Sequence, residues 1–153
     1  METTFTELDA PSASPPRRLS KQRRWSGILL SAAPVLFLGF DAAIKLVEIE
    51  PVRTAMQHLG YPGHLARGIG LLELGCLALY LIPRTAWLGA VLLTGFLGGA
   101  IASHLRVGDP LFSHCLFPSY VGLALWAGWF LRDARARVLF AAPNVPSFRN
   151  STP

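Results

Sequence analysis

Four apolar stretches, each cut off by charged or turn-forming residues, organise this chain. The first runs from Ile28 to Phe40 with Ser31 as its one polar member. With its flanks it predicts a helix over 26–47, close to the roughly 20 residues that a bilayer-spanning helix needs. Pro34 lies inside it, and because neighbouring helices can satisfy the carbonyl it frees, a kink rather than a break is expected. Further apolar runs predict spans over 66–82, 87–105 and 114–131. The connection between the first two is polar, with Glu48, Glu50, Arg53, Gln57 and His58. Pro51 at a first helical position, followed by Val52, Met56 and Leu59, predicts a short amphipathic helix over 51–59 on the membrane surface. Gly60-Tyr61-Pro62-Gly63 ends it as a turn. Pro83-Arg84 and the stretch 106–113, with Gly108-Asp109-Pro110, supply the remaining connections.

Short connections make sequence neighbours antiparallel, so the expected fold class is all-α, an up-down transmembrane four-helix bundle. Composition agrees: 52% hydrophobic residues, 15% charged and a mean hydropathy of +0.41 are unlike an ordinary soluble domain. The net charge of +5 raises nucleic acid as a partner. The basic residues flank apolar segments instead of forming a stripe beside stacking aromatics, so no nucleic acid is expected and the lipid bilayer is the partner. With both termini inside, the cytoplasmic segments hold ten Lys and Arg, and the outer segments hold three, Arg53, Arg67 and Arg106. That bias predicts an N-in, C-in, multi-pass protein of the cell membrane. Residues 1–24 and 138–153, rich in Pro, Ser and Arg, are expected to be disordered cytoplasmic tails. The long polar leader and long apolar run favour an uncleaved first helix over a signal peptide. Pairs of small residues (Gly39 and Ala43, Gly95 and Gly99, Ala124 and Gly128) suit close helix packing within the chain and equally a homodimer face.

The chemistry is concentrated in few residues. Asp41 and Lys45 are four apart, so a helix stacks their opposite charges on one face. In this topology they lie in the outer half of the first helix. Glu73 lies about 10 Å below the outer surface at about 1.5 Å per residue, and the third span ends at His104 and Arg106. Asp41, Lys45, Glu73, His104 and Arg106 therefore form the candidate ligand-binding or proton-relay set, with no catalytic residue assigned. Asp41–Lys45 reads equally as an intrahelical ion pair with Lys45 snorkelling to the interface. Glu73 has no cation within a turn of its own helix, so it is either protonated or paired with Lys45 or Arg106 across the bundle. Glu73, Cys76 and Tyr80 share one helix face. Cys76 and Cys115 lack CxxC spacing and are expected at different depths, so no disulfide is predicted. His58, His64 and His114 lack ligand spacing, and no metal is expected.

Several of these segments together resemble the DoxX-like family of small four-helix membrane proteins. They are Phe40-Asp41-Ala42-Ala43-Ile44-Lys45-Leu46, Leu59-Gly60-Tyr61-Pro62, Gly70-Leu71-Leu72-Glu73-Leu74-Gly75, Ile82-Pro83-Arg84, the run 88–102, and His104-Leu105-Arg106-Val107-Gly108-Asp109-Pro110. Asp41 departs from the pattern, where a small or polar residue is expected before the Lys. The resemblance implies a fold and a location in the bacterial inner membrane, and an accessory role in membrane redox or stress physiology. No haem-ligating histidine pair, cysteine cluster or dinucleotide loop is present in the sequence. The expectation is a non-catalytic subunit with no intrinsic cofactor, whose outer-half pocket takes a diffusible quinone or another small apolar ligand. A small permeation or proton-relay protein, and a structural subunit docking another membrane protein, are the competing readings.

Overall fold

The structure is a computed structural model, and residues 21–134 and 136 are described. It is helical, with no strand among the described residues. The first helix, α1, is Lys21–Val47, an unbroken run of 27 residues through Pro34, about 40 Å long at about 1.5 Å per residue. It starts earlier than expected: Lys21–Arg24, placed in the tail from sequence, form its first turn. Lys, Gln and Arg are good helix formers and nothing after Ser20 breaks the ladder. The rest of the two expected tails, 1–20 and 138–153, lies outside the described residues.

The chain turns at Glu48, in the left-handed region at φ 53°, and enters the short helix α2, Glu50–His58. Pro51 sits in its first turn, where its missing N–H costs nothing. Val52 and Met56, one turn apart, bury against Ala66 with Ile44, Tyr61 and Ile69 around them. α3 is Leu65–Leu81, α4 is Ala86–Val107, and α5 is Phe117–Arg132. The last span differs from the expected 114–131. A π-helical turn, Leu111–Cys115, precedes α5. Pro118 cannot donate to the preceding turn, so the ladder restarts with Ser119 N–H donating to the Leu116 carbonyl at 3.0 Å.

α1 packs on α3 and α5, and α4 packs on the same two helices. Between them lies a core of Leu38, Leu77, Tyr80, Leu93, Leu97, Leu125 and Trp129. At one end α1 and α5 cross closely: a Cβ on Gly128 would lie 3.0 Å from the Gly27 carbonyl oxygen and 2.0 Å from Ser31 Oγ. Tyr80, fully buried, locks this end. Its hydroxyl donates to the Leu125 carbonyl at 2.7 Å and lies 3.1 Å from Ser31 Oγ. The Arg132 guanidinium covers its ring at 4.4 Å and donates to its carbonyl at 2.9 Å. By contrast Gly95 and Gly99 meet nothing within 4 Å, so that small-residue pair does not mediate packing inside the chain.

Outward, the helices present large apolar side chains, including Leu36 at 73% and Leu123 at 68% exposure. Water-soluble proteins rarely leave apolar surface on this scale uncovered. Three stretches are long and apolar enough to cross a membrane: Lys21–Val47, Ala86–Val107 and Leu111–Arg132. α3 is shorter, with 17 residues, which is the lower limit of roughly 17–25 for a span.

Candidate functional site

The polar centre forms where α3 crosses α1 towards the α2 end. Gly70 allows it: a Cβ there would lie 3.0 Å from both the Ala42 carbonyl oxygen and Lys45 Cβ. One turn along α3 from that contact stands Glu73. Helical spacing on α1 stacks Asp41 and Lys45, and the Lys45 ammonium donates to the Asp41 carboxylate. The same ammonium donates to Glu73 Oε2 at 2.8 Å. On its remaining side it faces the ring of Phe96 from α4, 5.4 Å from the centroid, within reach of a cation–π interaction. Two helices thus supply the ion-pair triad, and a third lays an aromatic ring beside it.

Burial grades across it. Asp41 keeps 31% of its side chain exposed, Lys45 16%, and Glu73 none. Two carboxylates face one ammonium, so the fully ionised triad carries a formal charge of −1. Glu73 Oε1 is buried and receives no N–H donor, and the Glu73 carboxyl lies within hydrogen-bond reach of the Asp41 carboxyl. Leaving such an acceptor unsatisfied costs about 1–3 kcal/mol, and more when it is charged. Among the two sequence-based options for a cation, Lys45 rather than Arg106 is the one that pairs with Glu73.

His104 and Arg106 lie elsewhere. His104 Nδ1 is 2.6 Å from Asp109 Oδ2, and His58 Nε2 is 2.8 Å from Asp109 Oδ1. Hydrogen bonds from His104, and secondly from His58, hold the Asp109 carboxyl below the usual carboxylate range. Arg106 donates to the Leu59 carbonyl and lies over the Tyr61 ring at 5.6 Å. Tyr61 in turn bonds Ser103 at 2.8 Å. These contacts tie α2 and its following loop to the end of α4. Nearby, Arg67 at 3.1 Å and Arg53 at 3.5 Å pair with Glu48, bracing the left-handed turn. Among the described residues, no bond or ion pair joins His104 or Arg106 to Lys45 or Glu73.

Sequence reading overlooked Phe96, Gly70 and the carboxylate role of Asp109. Phe96 carried no signal, being one apolar residue in an apolar helix. Asp109 and His58 are 51 residues apart, so no spacing rule links them. Cys76 and Cys115 are buried free thiols, and Cys115 lies 3.5 Å from the Asp109 carbonyl. No group of three or more His, Cys, Asp or Glu among the described residues is arranged to hold a metal ion.

Helices of this length and apolarity, with a charged cluster held between them, define a helical membrane protein. The chain matches the DoxX-like family over residues 29–128 and belongs to it. No curated protein and no solved structure matches the chain. The matched region takes in the whole Asp41–Lys45–Glu73 triad, and also His104, Arg106 and Asp109.

Proposed function

We propose that this protein crosses the membrane four times as an up-down four-helix bundle with both termini cytoplasmic. We propose further that its Asp41–Lys45–Glu73 triad receives a small lipophilic ligand of the quinone type, in an accessory role in membrane redox or stress physiology. The basic residues that flank the spans support the orientation. Lys21, Arg24, Arg84 and Arg132 gather at the end where α1 begins and α5 finishes, the end assigned to the cytoplasm. α3 would span with its 17 residues, and its exposed Leu71 and Leu72 suit contact with lipid.

The observation that carries the ligand reading is Glu73 Oε1, buried without an N–H donor. A buried acceptor short of a donor marks a position where another polar group is expected to dock. An apolar surround with a few convergent polar groups is the usual make-up of a small-molecule site. A proton path through the chain fits less well. Beyond Cys76, Tyr80 and Ser31 direct their protons to the carbonyls of Leu125 and Gly27, which leaves them as structural bonds.

Native mass spectrometry of the protein extracted in detergent without air tests this reading, wild type beside Glu73→Leu. That variant keeps the Asp41–Lys45 pair and so removes the Glu73 acceptor without stranding a charge. An isoprenoid quinone or its hydroquinone, retained by the wild type and lost from the variant, is expected. A ligand-free wild-type protein would refute the reading.

A further inference from the structure

We propose that the end of the bundle where α1 begins and α5 finishes is a docking surface for anionic phospholipid headgroups. The inference rests on the membrane-spanning reading and is independent of what the triad binds.

It starts from a contrast between the two ends. Towards the α2 end, every described Lys and Arg is engaged within the chain. Lys45 pairs with Asp41 and Glu73, Arg53 and Arg67 pair with Glu48, and Arg106 donates to the Leu59 carbonyl. At the other end the described residues include Lys21, Arg23, Arg24, Arg84 and Arg132 against a single acid, Asp133. Arg132 is held by Tyr80, and Arg23 and Asp133 have contacts of their own. Lys21, Arg24 and Arg84 are exposed, and they make no ion pair or hydrogen bond with a described residue. They belong to one surface. Arg24 is a turn before Gly27, which packs against the Arg132 backbone, and Arg84 lies just past the Tyr80 that Arg132 covers.

Helix length sets the depth of these charges. The hydrocarbon core is about 30 Å thick, and the stretch 26–47 covers it at about 1.5 Å per residue. Residues 21–25 then stand in the polar layer beyond the core. Trp25, beside Arg24, and Trp87, a turn after Arg84, are 62% and 52% exposed. Indole rings favour this headgroup level, with the ring against the acyl boundary and the N–H towards water. A free anion or a nucleic acid in water would meet the cations and leave both rings bare. A lipid layer covers the rings while its phosphates meet the cations, so the headgroup is the occupant that fits both features. Each Lys or Arg beside an anionic membrane surface raises affinity roughly fivefold, so three together give roughly tenfold or more even where their effects add incompletely.

The test uses the detergent-purified full chain in mixed micelles holding phosphatidylglycerol and phosphatidylcholine in equal amounts, with retained lipid counted by native mass spectrometry. The wild type is expected to keep phosphatidylglycerol at least about tenfold more than phosphatidylcholine, and this preference should fall as salt rises. Lys21→Gln, Arg24→Gln and Arg84→Gln combined should remove most of the preference, whereas Arg24→Lys with Arg84→Lys should keep it. Micelles have no sides, so a changed insertion orientation cannot produce the loss. Equal retention of both lipids by the wild type would overturn the inference, as would a folded triple variant with the wild-type preference. Displacement of the lipid by inorganic phosphate would overturn it in favour of a free-anion site. Should the triple variant not fold, the wild-type preference and its salt dependence decide alone. A chain that stays folded in water without detergent and takes up neither lipid would defeat the membrane-spanning reading and this inference with it.

Discussion

Replacing Lys45 by Met should be among the most damaging single changes in the protein, and the structure says why. Lys45 pairs with two carboxylates in very different surroundings. Asp41 keeps 31% of its side chain exposed, and an exposed pair at this helical spacing contributes only about 0.3–0.5 kcal/mol. Glu73 has none of its side chain exposed and bonds Lys45 at 2.8 Å. Removing one partner of a buried pair costs about 3–5 kcal/mol, because the other charge is left uncompensated. The cation–π contact with Phe96 adds about 0.5–2 kcal/mol at most, so the stranding of Glu73 dominates. Lys45→Met with Glu73→Leu removes both buried charges and should return most of the lost stability. Glu73→Leu alone leaves the Asp41–Lys45 pair and should be mild. Equilibrium unfolding in mixed detergent micelles, followed by fluorescence of the four tryptophans, measures all three variants beside the wild type. The expected coupling between the two sites is about 3 kcal/mol. A Lys45→Met protein within about 1 kcal/mol of the wild type would refute the reasoning, as would a double variant as unstable as Lys45→Met.

Three further outcomes are expected. Gly128→Ala should cost about 1–3 kcal/mol by forcing α1 and α5 apart, since its Cβ would meet the Gly27 carbonyl oxygen at 3.0 Å. Gly95→Ala, with nothing within 4 Å, should leave stability unchanged or slightly raised in the same unfolding assay. The lowered Asp109 carboxyl predicts acid sensitivity of the tie between α2 and α4. Its folded value lies below the unfolded one of about 3.9, so its contribution is complete above about pH 4 and is lost as pH falls through the folded value. Asp109→Asn should abolish that part of the acid loss, read as a flatter melting temperature against pH below about pH 4.

The helical class, the membrane-competent runs and the family were legible from local information alone. An apolar run reports its own burial, Pro51 and Val52 with Met56 report a surface helix, and Asp41 with Lys45 report a shared face, because each signal lies within a few residues. Glu73 stood out for the same reason, as a carboxylate in an apolar helix with no nearby cation. What lay beyond reach was how each helix is rotated about its axis and which neighbour it meets. That rotation is set by side-chain packing between segments far apart in sequence. It made Lys45, 28 residues away, the partner of Glu73 in place of Arg106, and it put Phe96 over the ammonium. It turned Gly70 and Gly128 into contact points while leaving Gly95 and Gly99 outside, although all four look alike in the chain. It also drew Arg106 to Leu59, 47 residues away, while His104 turns to Asp109 five residues on, where sequence had grouped both with the triad. Sequence by itself determined which segments avoid water and which residues bear charge. Only the tertiary structure decided which charges meet, because an ion pair across helices depends on approach distances of a few ångströms that no periodicity encodes.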